Sequence, residues 1–147
     1  MTRRLVVEAD GGSRGNPGPA GYGAVVRDPT TGEVLAEVSE SIGRATNNVA
    51  EYSGLIAGLR AAAAIARGAD VEVRMDSKLV VEQMSGRWQI KHPDMRPLAA
   101  TARETARALG RVNYTWVPRS RNAHADRLAN QAMDAAAGKA GAVGGPH

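Results

Sequence analysis

The sequence predicts an α/β domain in which helices pack against a mixed β-sheet, and three observations lead there. The first three strand-like runs are separated only by loop and turn signals, as in hairpins. The later runs alternate with stretches of helical spacing, as crossovers require. Third, four carboxylates stand where predicted elements begin or end: Asp10, Glu51, Asp76 and Asp126. Acids so placed can converge at one end of a sheet, and convergent acids repel one another unless a cation lies between them. That predicts a metal site, and its hard oxygen ligands point to magnesium or manganese.

Residues 3–10 read as strand one, with the apolar run Leu5-Val6-Val7-Glu8-Ala9 closing on Asp10. Gly11 to Gly18 reads as a Gly/Pro loop, and residues 20–27 as strand two. Asp28-Pro29-Thr30-Thr31-Gly32 is a turn signal, so residues 33–42 should return as strand three of an antiparallel hairpin. From Asn48 to about Arg67, Tyr52, Leu55, Ile56, Leu59 and Ala63 follow the three-and-four spacing of an amphipathic helix whose apolar face needs the sheet. Residues 70–76 form strand four and close on Asp76. Ser77 to Met84 gives a short helix, and Met95 to Leu109 a longer alanine-rich one. Residues 111–117 form strand five, and Ala123 to Ala137 the last helix. Residues 1–137 then make one domain. Residues 138–147, rich in Gly and Ala with nothing bulky to bury, read as a disordered tail or as the start of a linker to a second domain.

The 147-residue chain suits a single domain with one core. It has no cysteine, which excludes disulfide scaffolds and thiolate metal sites and makes cytoplasmic residence natural. No apolar run approaches the roughly 20 residues of a membrane span, so no membrane partner is expected. A net charge of +4 leaves room for a polyanionic partner, and equally for simple solubilising charge.

Taken singly, each acid also fits a local structural role. Asn48-Val49-Ala50-Glu51 matches a capping box, and Asp76 and Ser77 are ordinary N-cap residues. Asp126 suits the first turn of a helix, and Asp10 an Asx-turn. Taken jointly, four caps have no reason to fall at the same edge of one sheet.

Local sequence around the acids is specific. The run Asp10-Gly11-Gly12-Ser13-Arg14-Gly15-Asn16-Pro17-Gly18-Pro19-Ala20-Gly21-Tyr22-Gly23 resembles the first strand and loop of the ribonuclease HI family. Thr46-Asn47-Asn48-Val49-Ala50-Glu51 resembles that family's first helix entry. Met75-Asp76-Ser77 and Ala125-Asp126-Arg127-Leu128-Ala129-Asn130 resemble its third and fourth acid motifs. The resemblance covers about residues 4–135, with the four motifs in order.

The resemblance implies a five-stranded mixed sheet in the order 3-2-1-4-5 with helices on both faces. It implies endonucleolytic cleavage of the RNA strand of an RNA/DNA hybrid, leaving 5′-phosphate and 3′-hydroxyl ends, by a monomer serving replication and repair. Two metal ions would activate the water and stabilise the leaving oxygen, Mg2+ being expected and Mn2+ an alternative. Asp10 would bridge the ions, with Glu51 and Asp76 on one side and Asp126 on the other. Gly11, Asn16, Asn47 and Asn48 fall at substrate-binding positions, the asparagine amides suiting a 2′-hydroxyl. Arg44 and Thr46 match the pocket for a phosphate of the DNA strand.

The chain departs from the best-known members in two places. Arg119 stands where a loop histidine is usual, and an arginine acts by charge and cannot shuttle a proton. His124, two residues before Asp126, is the alternative proton carrier, or else a solvated or helix-capping residue. The segment Ser85 to His92 is too short for a basic helical protrusion; Trp88 with Arg87, Lys91 and His92 is a substitute for it, or a packing residue with solvated neighbours. Alternatives in other classes are a non-catalytic hybrid-binding module and another nuclease of the same fold, of exonuclease or integrase type. An exonuclease of this kind usually carries an acid two residues after the first aspartate, where this chain has Gly12.

Overall fold

The structure is a computed structural model that describes residues 2–141. Five strands are β1 (Arg4–Ser13), β2 (Gly18–Arg27), β3 (Val34–Ala45), β4 (Asp70–Met75) and β5 (Val112–Trp116). Four helices are α1 (Asn47–Ile65), α2 (Lys78–Met84), α3 (Arg96–Ala106) and α4 (Ala123–Gly141), with a 3-10 turn at Arg119–Arg121 ahead of α4. The sheet order is β3-β2-β1-β4-β5, as expected. β1, β2 and β3 pair antiparallel, whereas β4 lies parallel to both β1 and β5. Helices α1 and α4 cover opposite faces of the sheet.

The main core lies between the sheet and α1. Val7, Ala9, Val26, Val71, Val73 and Met75 from the strands meet Tyr52, Leu55 and Leu59 of α1, all of them buried. α1 is not a simple two-faced helix, because α3 packs on it from behind. On its sheet side, Ala50, Gly54 and Gly58 bring the helix backbone close to Gly11, Asp10 and Val7, and Ile56 and Ala62 are buried as well. Its N-cap is Thr46, whose Oγ1 accepts a hydrogen bond from Val49 N. Glu51 thus falls five residues past the cap and outside any capping box, two positions from where the Asn48 reading placed it. Ser77 caps α2 as predicted, accepting from Val80 N.

The largest departure from expectation is at the Gly/Pro loop. β1 continues through Ser13, and β2 begins already at Gly18, with Gly11 opposite Tyr22 and Gly12 opposite Gly21. The glycines that read as loop instead admit helices to the sheet surface. A Cβ on Gly23 would lie 2.5 Å from Leu128 Cβ of α4, so bare backbone is what lets α4 seat against β2.

At the C-terminus, α4 runs to Gly141 and so includes part of the segment expected to be tail; residues 142–147 lie outside the described residues. Only 11 residues, without a helix, separate α2 from α3, leaving no room for a basic helical protrusion. Trp88 in that segment is 45% exposed, while Arg87 turns back onto Glu82 at 2.5 Å. No helix among the described residues is long and apolar enough to cross a membrane.

Candidate active site

The parallel register of β1 and β4 sets Glu8 beside Arg74. Two residues further along each strand, the same register brings Asp10 and Asp76 level with one another. Glu51 joins them because α1 enters directly over Gly11. A Cβ there would overlap the Ala50 carbonyl and stand 2.6 Å from Glu51 N, so only glycine permits the approach. The fourth acid, Asp126, lies in the first turn of α4, which Gly21 and Gly23 bring down onto the other face of β2.

All four carboxylates line one open cleft of about 340 Å³ at this edge of the sheet. Gly11, Asn47, Arg119, Arg14 and Asn130 also line it. Arg119 Nη2 lies 3.5 Å from Asp126 Oδ1, and its side chain is largely exposed. Arg14 spans the rim, donating to Asp134 Oδ1 at 2.6 Å and to Asn130 Oδ1 at 3.1 Å, which ties the β1–β2 loop to α4.

Asp10 is only 8% exposed. Burial pushes its carboxyl from the ordinary value up to about 8, with the charge of Asp76 and a hydrogen bond shared with Asp126 adding to the effect. Glu51 is pushed up to about 7, again mainly by burial, with Asp76 contributing and the Ser77 hydroxyl partly opposing. A nearby cation would oppose both effects and favour the ionised carboxylates. The donor set consists of hard carboxylate oxygens in mutual repulsion, which fits magnesium or manganese. Among the described residues, no three acid or histidine side chains are already closed around one point. The acids flank the cleft rather than cage it, the form suited to an ion that keeps waters or takes substrate oxygens as further ligands.

The remaining expected binding residues divide between two places. Asn47 faces the cleft, with its Oδ1 accepting from Ser13 N at 2.8 Å. Asn16, Thr46 and Asn48 line an adjoining recess of about 160 Å³, together with His92. Asn16 and Thr46 also hold local structure, Asn16 Oδ1 accepting from Asn47 N at 3.1 Å. Arg44, at the end of β3 opposite Pro19, lines neither.

His124 does not face the cleft. It is held between Arg27, whose Nη2 is 2.6 Å from His124 Nδ1, and the Glu37 carboxylate. Arginine can only donate, so Nδ1 accepts and Nε2–H donates to Glu37. Sequence reasoning missed Asn122, which is buried, with its Nδ2 3.0 Å from Asp76 Oδ1. Its position just before a helix signals an N-cap, not a contact to an aspartate 46 residues away.

Fold and cleft together define a ribonuclease H-like domain: a 3-2-1-4-5 sheet with four acids converging at one edge. A family model described as reverse transcriptase-like matches residues 8–132. A bifunctional protein of Mycobacterium tuberculosis is 62% identical over 143 residues, which is 97% of this chain and 39% of that protein. A solved N-terminal RNase H domain from that species, a fusion with maltose binding protein, covers 95% of this chain and 99% of the solved chain at TM-score 0.91 and 62% identity. RNase H1 of the halophilic archaeon Halobacterium salinarum gives TM-score 0.85 at 46% identity, covering 90% and 98%. LC11 RNase H1, solved in complex with an RNA/DNA hybrid, gives 0.85 at 40% identity with the same coverage. The chain belongs to the ribonuclease H family. It spans about two fifths of the length of the curated relatives that it first matches.

Proposed function

We propose that this chain is a metal-dependent endoribonuclease that hydrolyses the RNA strand of RNA/DNA hybrids, leaving 5′-phosphate and 3′-hydroxyl ends. The observation that carries the reading is the convergence of Asp10 of β1, Glu51 of α1, Asp76 just past the end of β4 and Asp126 of α4 on one open cleft. A relative sharing 40% of its sequence is solved with such a hybrid, which supports the substrate class.

Two divalent ions, Mg2+ or Mn2+, would supply an activated water and a stabilised leaving oxygen. In this reading Asp10, Glu51, Asp76 and Asp126 hold them, and the ions would counter the burial and mutual repulsion that raise Asp10 and Glu51. Arg119 contributes fixed positive charge at the mouth of the cleft, toward the scissile phosphate or departing product. Gly11, Asn47, Asn16 and Asn48 receive the hybrid from the minor-groove side, where amides meet 2′-hydroxyls. Thr46, with Arg44 beyond the recess, takes a phosphate of the DNA strand.

The reading extends to a monomer working in the cytoplasm on hybrids left by replication and repair, joined to a further domain as in the longer relatives. Its test is cleavage of labelled RNA/DNA hybrid with magnesium, beside single-stranded RNA, double-stranded RNA and double-stranded DNA. Hybrid should be cut internally and in preference to the other three. Equal cleavage of all four would refute the assignment.

A further inference from the structure

We infer that Asn122 is the positioning residue of the acid cluster, holding Asp76, Asp10 and Asp126 in mutual register through one buried side chain and its own backbone. The inference rests on the catalytic reading above and names how that site is kept in shape. Asn122 is 1% exposed. Its Nδ2 donates to the Ala9 carbonyl at 2.9 Å and to Asp76 Oδ1 at 3.0 Å. Its backbone carbonyl accepts from Asp126 N at 3.0 Å, and its backbone N–H donates to Arg119 O at 3.0 Å. One residue thus contacts the peptide preceding Asp10, the carboxylate of Asp76, the amide of Asp126 and the turn bearing Arg119.

The contact at Ala9 explains why an asparagine is needed. The β1–β4 ladder ends at Glu8 and Arg74, and the Ala9 carbonyl lies just beyond it. The Asn122 amide extends that ladder by one donor and turns its other N–H onto Asp76. Both partners are acceptors only, so the orientation of the amide is fixed by its neighbours. Its Oδ1 is left buried without a hydrogen-bond partner among the described residues. An aspartate of the same shape would set oxygens against both acceptors, and a serine would offer a single short donor.

The role can be separated from helix capping. Asn, Asp and Ser cap helices about equally well, so Asn122→Asp and Asn122→Ser should leave α4 intact if capping were the whole role. Positioning requires instead that both variants fold yet lose turnover on hybrid by about 10- to 100-fold, the range for residues that orient metal ligands. KM for hybrid, and hybrid affinity in chelator, should change less than about threefold, the loss falling on kcat. Half-saturation of the free enzyme by Mg2+, followed through amide chemical shifts near Gly11 and Ser77, should rise by about tenfold. That measurement needs no cleavage, so it tests Asn122 even if the parent protein proves inactive on hybrid, which would count against the function alone. Folded variants with unchanged kcat and Mg2+ half-saturation, or a loss confined to KM, would overturn the assignment. Failure of both variants to fold would overturn it too, by placing these hydrogen bonds among those that hold the fold.

Discussion

The backbone of Gly11 lies directly against the Ala50 peptide, with no room for a Cβ between β1 and the first turns of α1. This contact carries Glu51 to the side of Asp10, and it depends on a single missing methyl group.

Gly11→Ala should therefore disturb both stability and the site. Overpacking at backbone contact costs about 1 to 3 kcal/mol, and the displaced α1 would draw Glu51 away from the cleft. Hybrid cleavage should drop well beyond what the stability loss explains. Gly138→Ala in α4 is the control, since a Cβ there meets nothing within 4 Å and should gain about 0.5 to 1 kcal/mol with activity unchanged. Thermal melts with cleavage rates decide the matter, and a Gly11→Ala enzyme with full activity would refute the packing argument.

Metal-free stability should fall as pH rises. Asp10 and Glu51 titrate at about 8 and about 7 in the folded protein, above their ordinary values of 3.8 and 4.5. Protons kept in the fold but released on unfolding stabilise at low pH, fully below about pH 4, and that contribution is lost as pH passes 7 to 8. Asp10→Asn cannot ionise, so in chelator at pH 8 it should be more stable than the parent by at least about 1 kcal/mol, about 3 °C in Tm. The difference should vanish near pH 4. Cleavage should nearly disappear in the same variant while hybrid still binds. An Asp10→Asn protein that cuts normally, or shows no pH-dependent gain, would contradict the site as described.

Arg119 should act by charge. It sits at the cleft mouth 3.5 Å from Asp126 with its side chain mostly in solvent, so its ion pair contributes little stability. Arg119→Ala should lower turnover by about 10- to 100-fold with little change in Tm, and Arg119→Lys should recover part of the loss. A lysine variant as poor as the alanine one would show that guanidinium geometry, not charge, is required.

His124 should matter for stability rather than for proton transfer. Its ring is held between Arg27 and Glu37, and Arg27 also reaches Glu8 Oε1 at 3.1 Å, so the group pins the start of α4 to β1, β2 and β3. His124→Ala should lower stability by about 1 to 2 kcal/mol while the rate profile from pH 6 to 9 keeps its shape. Loss of a titration step from that profile would return the proton-carrier role to His124.

The order and type of every main element, and the four acids, are legible in the chain, because periodicity, turn residues and motif spacing are local properties. Ser77 reads as a helix start for the same reason, while the start of α1 reads two residues late, at Asn48, because Thr46 and Asn48 are both good caps. That β1 and β2 run on through glycines follows from packing, since whether a glycine marks a loop or admits a helix depends on what lies above it. The capture of His124 by Arg27 and Glu37, 97 and 87 residues away in sequence, has no local signature. Neither has the reach of Asn122 to Ala9 across 113 residues. Such hydrogen bonds exist only once the sheet and α4 have fixed where each donor and acceptor stands, so the acids could be named from the chain while the contacts holding them could not.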